Sequence, residues 1–169
     1  IGPLSHNILT VDGQEQVVKG RATILATHGQ RTVIDAGPVY RGQLQQALRG
    51  VSLLADRSVV VQDEIVAEHA CTVRWAMMTR ATVGGMMPGA AVLTQDGHRL
   101  VLRVLEPAGA LVRTWASDPP PAAYDAANSG TVMVGFETRI EAGAALRIAV
   151  QLAPGDGGAA AVVTPLAQW

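Results

Sequence analysis

Cysteine is nearly missing from this chain: Cys71 is the one thiol among 169 residues. An internal disulfide is excluded, and so is any Cys-x-x-Cys metal or redox pair. The single thiol does not decide the compartment, since many exported bacterial proteins also lack bridges. Charge is sparse as well. Only 16% of residues are charged, the net charge is −1, and nearly half the chain is hydrophobic, which argues against disorder and against a broad nucleic-acid-binding surface. No apolar run approaches the ~20 residues of a membrane-spanning helix. Ile1-Gly2-Pro3 has neither the basic start nor the apolar core of a signal peptide. A soluble chain with no nucleic-acid and no membrane partner is expected.

The length suits one domain with its own core. Short runs of alternating apolar and polar residues recur with turn signals between them, which is the pattern of an all-β domain. Strands are predicted over 7–11, 20–27, 31–36, 47–55, 58–65, 71–78, 90–94, 99–105, 111–116, 131–138, 144–152 and 160–164. So many short segments need two layers, and an antiparallel, multi-stranded, two-layer β-sandwich over 1–169 follows. Val59-Val60-Val61 with Ile65 reads as a strand buried on both faces, and Val132, Val134 and Phe136 form a sharp single-face stripe. The one helix-like stretch, 42–48, is short and glutamine-rich. Three consecutive prolines in the irregular stretch 117–130 rule out a central strand there and mark an ordered loop. The Gly- and Ala-rich stretch 155–161 reads as a weakly specified tail that Trp169 can anchor. No internal repeat is visible.

The run LSHNILTVDGQ opens the candidate chemistry. Ile8, Leu9 and Val11 have strand character, and Asp12-Gly13 suits a tight turn because glycine accepts positive φ cheaply. A strand end holds a ligand rigidly, so the imidazole of His6 is a candidate for zinc, which takes three or four protein ligands. His28, His69 and His98 form no H-x-H, H-x-x-x-H or H-E-x-x-H pattern with it. On spacing alone, His6 reads as a hydrogen-bonded structural residue.

Several stretches, however, resemble the C-terminal β-sheet portion of heparinase II/III-like polysaccharide lyases. SHNILTVDGQ is similar to that family's H-N-T-L-x-V-D-G-x-x-Q element, the most specific part of the likeness. VIDAGPVY followed by LRGVSLLADRSVVVQDEI resembles its Asp/Tyr segment, arginine-containing strand and V-V-x-D-E strand. VRWAMMTRATV is similar to its tryptophan-bearing strand, and TWASDPPPAAYDAANSGTVMVGFE adds a fourth likeness to some members. The resemblance implies an α-helical toroid ahead of the sandwich as its partner, with the active site between them. It implies β-elimination on a uronate-containing acidic polysaccharide such as a glycosaminoglycan or alginate, in the periplasm or outside the cell. In many members a metal is held by an upstream histidine, an upstream aspartate and the histidine of the HN element, which is His6 here. The other ligands and the catalytic tyrosines would lie before Ile1. The chain is thus expected to be the C-terminal part of a longer enzyme, inactive alone and without zinc of its own. Some relatives carry a histidine near the end of the tryptophan strand, where this sequence has Met77-Met78-Thr79, so no role for it carries over.

Other residues weigh differently. Asp35 and Tyr40 read as a strand-end turn with a packed tyrosine rather than a sugar or metal contact. Trp75 alternates with Val73 and reads as core. Trp115, directly before the prolines, offers a ring for sugar stacking. Arg74, Arg80 and Arg113 can pair with uronate carboxylates, against the plainer reading of solvated sheet-face arginines. Asp63 and Glu64 are neighbours on a strand and point to opposite faces, which argues against paired acid/base work. Ser5 beside His6 makes no hydrolytic triad. Met86-Met87, flanked by Gly84-Gly85 and Pro88, reads as a turn with a hydrophobic contact rather than a soft-metal site. Trp115 and Arg80 are the candidate substrate-binding residues and His6 the candidate metal ligand, with no catalytic residue assigned. The alternative is a non-catalytic carbohydrate-binding or structural β-sandwich.

Overall fold

The stripe Val134–Phe136 and its partner Val73–Trp75 define the inner face of one sheet: all four side chains are buried, and the Trp75 and Phe136 rings stack at 6.2 Å. The computed structural model describes residues 6–118 and 127–169. Its strands are β1 (Leu9–Val11), β2 (Thr23–His28), β3 (Arg31–Asp35), β4 (Leu44–Leu53), β5 (Val59–Ala67), β6 (Cys71–Thr79), β7 (Thr82–Met87), β8 (Ala90–Gln95), β9 (His98–Glu106), β10 (Arg113–Ala116), β11 (Val132–Ile140) and β12 (Ala145–Pro154). They form a four-stranded sheet, β1-β6-β11-β10, and an eight-stranded sheet, β2-β3-β4-β5-β12-β9-β8-β7, with every pairing antiparallel. Ile65, Leu102, Ile148 and Val150 of the larger sheet meet Leu9, Val73, Val134 and Phe136 of the smaller in one core. The two-layer antiparallel sandwich is the architecture that the alternation predicts.

Two turns hold as read. Asp12-Gly13 and Asp96-Gly97 both have positive φ at both residues, the requirement of a type I′ turn. The second joins β8 to β9 across the Gln95–His98 pair.

Three of the secondary-structure expectations fail. The helix-like stretch 42–48 runs instead from a turn into β4. A bulge between Leu44 and Gln46 shifts the phase, so buried Leu44 and Ala47 stand three apart and imitate a helical stripe. The glycine- and methionine-containing segment read as a turn is β7, an edge strand bulged between Gly84 and Met87, where Gly85 takes φ 54°. Segment 160–164 is not a strand.

That last segment belongs to a strap, residues 157–169, laid across the outer face of the eight-stranded sheet. Its polar groups bond side chains of the sheet rather than a ladder. Gln151 donates to Ala159 O at 3.1 Å and accepts from Ala161 N at 3.1 Å; Gln62 donates to Thr164 O at 2.8 Å; Glu64 accepts from Leu166 N at 3.0 Å. Arg103 donates to the carbonyls of Gly157 and Gly158. Gln62 and Gln151 are fully buried beneath it, and β5 is covered on both faces. Leu166 and Trp169 pack where Gly50 has no side chain, and the Trp169 ring lies 5.9 Å from the Arg31 guanidinium. Trp169 anchors the end, and the stretch before it is fixed rather than loose.

Candidate functional site

His6 is exposed and immediately precedes a segment tied down at three points. The Asn7 side-chain carbonyl accepts the Met78 N–H at 2.7 Å. Its backbone carbonyl accepts Arg49 Nη1 at 3.0 Å. Two residues on, the Leu9 carbonyl accepts the buried Tyr40 hydroxyl at 2.9 Å. The first bond joins this segment to the end of β6 in its own sheet. The other two reach across the sandwich, from β4 and from the turn that precedes it. Asn7 thus acts as a brace, and β1 enters its sheet with His6 at the rim.

Arg49 is itself held. Asp63, its register partner on β5, accepts Arg49 Nε at 2.7 Å and Nη2 at 3.0 Å, the bidentate geometry that fixes a guanidinium plane. Burial works against the Arg49 charge, but the Asp63 carboxylate outweighs it and raises the guanidinium's pKa above its ordinary value. Burial also pushes the Tyr40 hydroxyl above its ordinary 10.0, against the lowering pull of Arg49 and a hydrogen bond from Gln16. Tyr40 is therefore a neutral, packed strut. Glu64 faces the opposite way and bonds Arg147 and the strap, so the adjacent carboxylates do not share a site.

His6, Asn7, Gln16, Val18 and Gly20 line an open cleft of about 460 Å³. Its wall, the loop before β2, is pinned by Val17 N to Val39 O at 2.9 Å. Gly20 permits this approach, since a Cβ there would lie 2.7 Å from Pro38 O. Behind the wall a cavity of about 250 Å³ shares Ile8, Gln16 and Val39 with the cleft and reaches Tyr40, Arg49 and Asp63.

The Asn7–Met78 bond also brings Arg80 to the same end of the four-stranded sheet. Met78, Thr79 and Arg80 line another cleft, of about 440 Å³, with Asn128, Ser129 and Thr131. Trp115 lies two strands away from Met78 in the row Trp115–Met133–Met78. The Arg74 guanidinium covers its ring at 4.4 Å, Arg113 stands at 5.9 Å, and both arginines pair with Glu137. Pro119–Pro121 lie outside the described residues. Asp35 caps a turn, accepting Gly37 N at 2.8 Å. Trp75 is core. Cys71 is buried, and burial, with Asp12 nearby, raises its thiol's pKa.

Among the described residues no three His, Cys, Asp or Glu side chains converge on a common point. His6 is thus a single imidazole at the rim. The sequence places Arg49 in a strand like the family's arginine-containing one but gives neither it nor Asn7 a role; the available signal was a charge at the inward position of each of two adjacent, otherwise apolar strands.

No protein-family model matches the sequence, and no curated protein matches it. Solved structures do. A heparan sulfate lyase, HepC from Pedobacter heparinus, superposes with a TM-score of 0.70 at 17% identity, covering 92% of this chain and 25% of its own. A heparinase III, the BT4657 gene product, gives 0.67 at 18%, covering 88% and 23%. Another heparinase III gives 0.66 at 13%, covering 90% and 24%. The chain spans about a quarter of the length of these structures, and it has the fold of that quarter of the heparinase III and heparan sulfate lyases.

Proposed function

We propose that this chain is the β-sandwich portion of a polysaccharide lyase that cleaves uronate-containing acidic polysaccharide by β-elimination. Its part is to form one wall of the substrate cleft and to present His6 as one ligand of a metal. The observation that carries the reading is the fold match over 92% of the chain to a heparan sulfate lyase. The braced HN element at a cleft mouth supports it.

β-Elimination needs a neutralised uronate carboxylate, a base for the C5 proton and an acid for the leaving glycosidic oxygen. Tyr40 is committed to Leu9 and supplies neither base nor acid. The described residues do not by themselves fit a zinc site, because a single histidine leaves two or three protein ligands to be found. Zinc would take them from an α-helical toroid elsewhere in the longer protein. Arg80 and Trp115 are the residues we assign to anionic sugar. A periplasmic or secreted location goes with this reading.

The cation-covered Trp115 favours one further reading, a non-catalytic module that binds acidic carbohydrate. The longer protein carrying this chain separates the two. Incubation with alginate, heparin and heparan sulfate should generate the ultraviolet absorbance of unsaturated uronate, and His6→Ala should abolish it. Binding without absorbance across a wide panel would replace the lyase with the binding module.

A further inference from the structure

We infer that Arg49, locked by Asp63, is a positioning residue for His6. This rests on the reading of His6 as part of the lyase site. Arg49 is inward-facing on β4 of the larger sheet, and Asn7 leads into β1 of the smaller one. The Nη1–Asn7 carbonyl bond at 3.0 Å therefore ties the rim of one sheet to the other at Asn7, beside the Tyr40–Leu9 bond at 2.9 Å two residues on. The carbonyl that accepts it belongs to the residue directly after His6, so this bond, the Asn7–Met78 bond and the bond from Ile8 N to the His6 carbonyl at 2.9 Å together restrain the backbone from which His6 extends.

The chemistry of the arginine suits this task. Two of its nitrogens are spent on Asp63, which sets the plane and direction of the third. A lysine would keep the charge near Asp63 but has one ammonium on a flexible stem and cannot hold two carboxylate oxygens and a carbonyl at fixed angles. Arg49 lines the cavity behind the cleft wall rather than the cleft mouth, which places its action on the backbone of Asn7 rather than on a sugar.

The test compares Arg49→Lys, His6→Ala and Arg147→Lys in the longer protein. Arg147 is the control because it pairs with Glu64 at 3.2 Å on the outer face of the same sheet and does not touch Asn7. Arg49→Lys should lower kcat tenfold or more on the cleaved polysaccharide with KM within about twofold. Arg147→Lys should leave both parameters unchanged at a comparable loss of thermal stability. If His6→Ala abolishes turnover while Arg49→Lys and Arg147→Lys behave alike, Arg49 is an ordinary structural arginine and the inference fails alone. If His6→Ala leaves turnover intact, the assignment of His6 to the site fails and takes the inference with it.

Discussion

Arg49 and Asp63 form a two-point ion pair, at 2.7 and 3.0 Å, on the inner face of the eight-stranded sheet, with the Asp63 side chain only 3% exposed. Both partners have been taken largely out of water, so the pair stabilises little relative to an apolar substitute, but breaking it is costly because one charge is left buried. Asp63→Asn should destabilise the fold by roughly 3 kcal/mol, at the low end of what loss of one buried partner costs. Replacing both, as Arg49→Met with Asp63→Leu, should recover most of that loss. Urea unfolding of the single and double variants measures this. A double variant as unstable as Asp63→Asn would mean that the pair contributes net stability rather than orientation.

Tyr40 makes stability pH-dependent at the alkaline end. Burial favours the neutral phenol, so its pKa in the folded chain lies above the ordinary 10.0. Below pH 10 the hydroxyl is protonated in both states and its contribution is fully present. Above it the unfolded chain binds fewer protons than the folded one, and stability falls as pH rises toward and through the folded pKa. Tyr40→Phe should cost about 1–2 kcal/mol at neutral pH through the lost bond to Leu9 and should flatten the decline above pH 10. Parallel pH–stability curves for the two proteins would show that the phenol does not drive it.

What the sequence made legible is what depends on near neighbours. The alternation of Val132, Val134 and Phe136 encodes a face, Asp96-Gly97 encodes a turn, and Trp75 beside Val73 encodes core. The strand misread as a helix shows the limit: the Leu44 bulge changes the period from two to three, and no local residue announces it. In the sequence Asn7 is only the second residue of the HN element, beside His6. Its function as a brace depends on Arg49, 42 residues away, and on Met78, 71 residues away. Bonds at that separation are set by sheet order, which a linear pattern does not contain. The strap is illegible for a related reason, since its partners Gln62, Glu64 and Gln151 become outer-face residues only once β5 and β12 are paired.

The strap leaves a requirement for glycine at position 50. A Cβ there would run into Leu166 Cδ2 and lie 2.8 Å from the Trp169 ring. Gly50→Ala should therefore cost about 1–3 kcal/mol as overpacking and expose the strap to limited proteolysis. Truncating the neighbour makes room, so Leu166→Ala should cost less in the Gly50→Ala background than in the parent chain, a coupling readable in a double-mutant cycle. Additive effects would mean that residues 166–169 do not press on β4 in solution.

Glu137 separates two roles for the outer face of the four-stranded sheet. One carboxylate serves two guanidinium groups, Arg74 at 2.8 Å and Arg113 at 3.6 Å, and both stand near the Trp115 ring. These side chains are partly solvated, so Glu137→Gln should change stability by less than about 1 kcal/mol. It would leave two cations without their counterion beside an aromatic ring. If this face meets an acidic sugar, the variant should elute from immobilised heparin at higher salt than the parent, and Trp115→Ala should elute at lower salt. The difference should vanish near 1 M salt, where screening acts over ~3 Å. Equal elution of all three proteins would reduce the cluster to a solvated ion-pair network and remove Trp115 from the proposed substrate-binding residues.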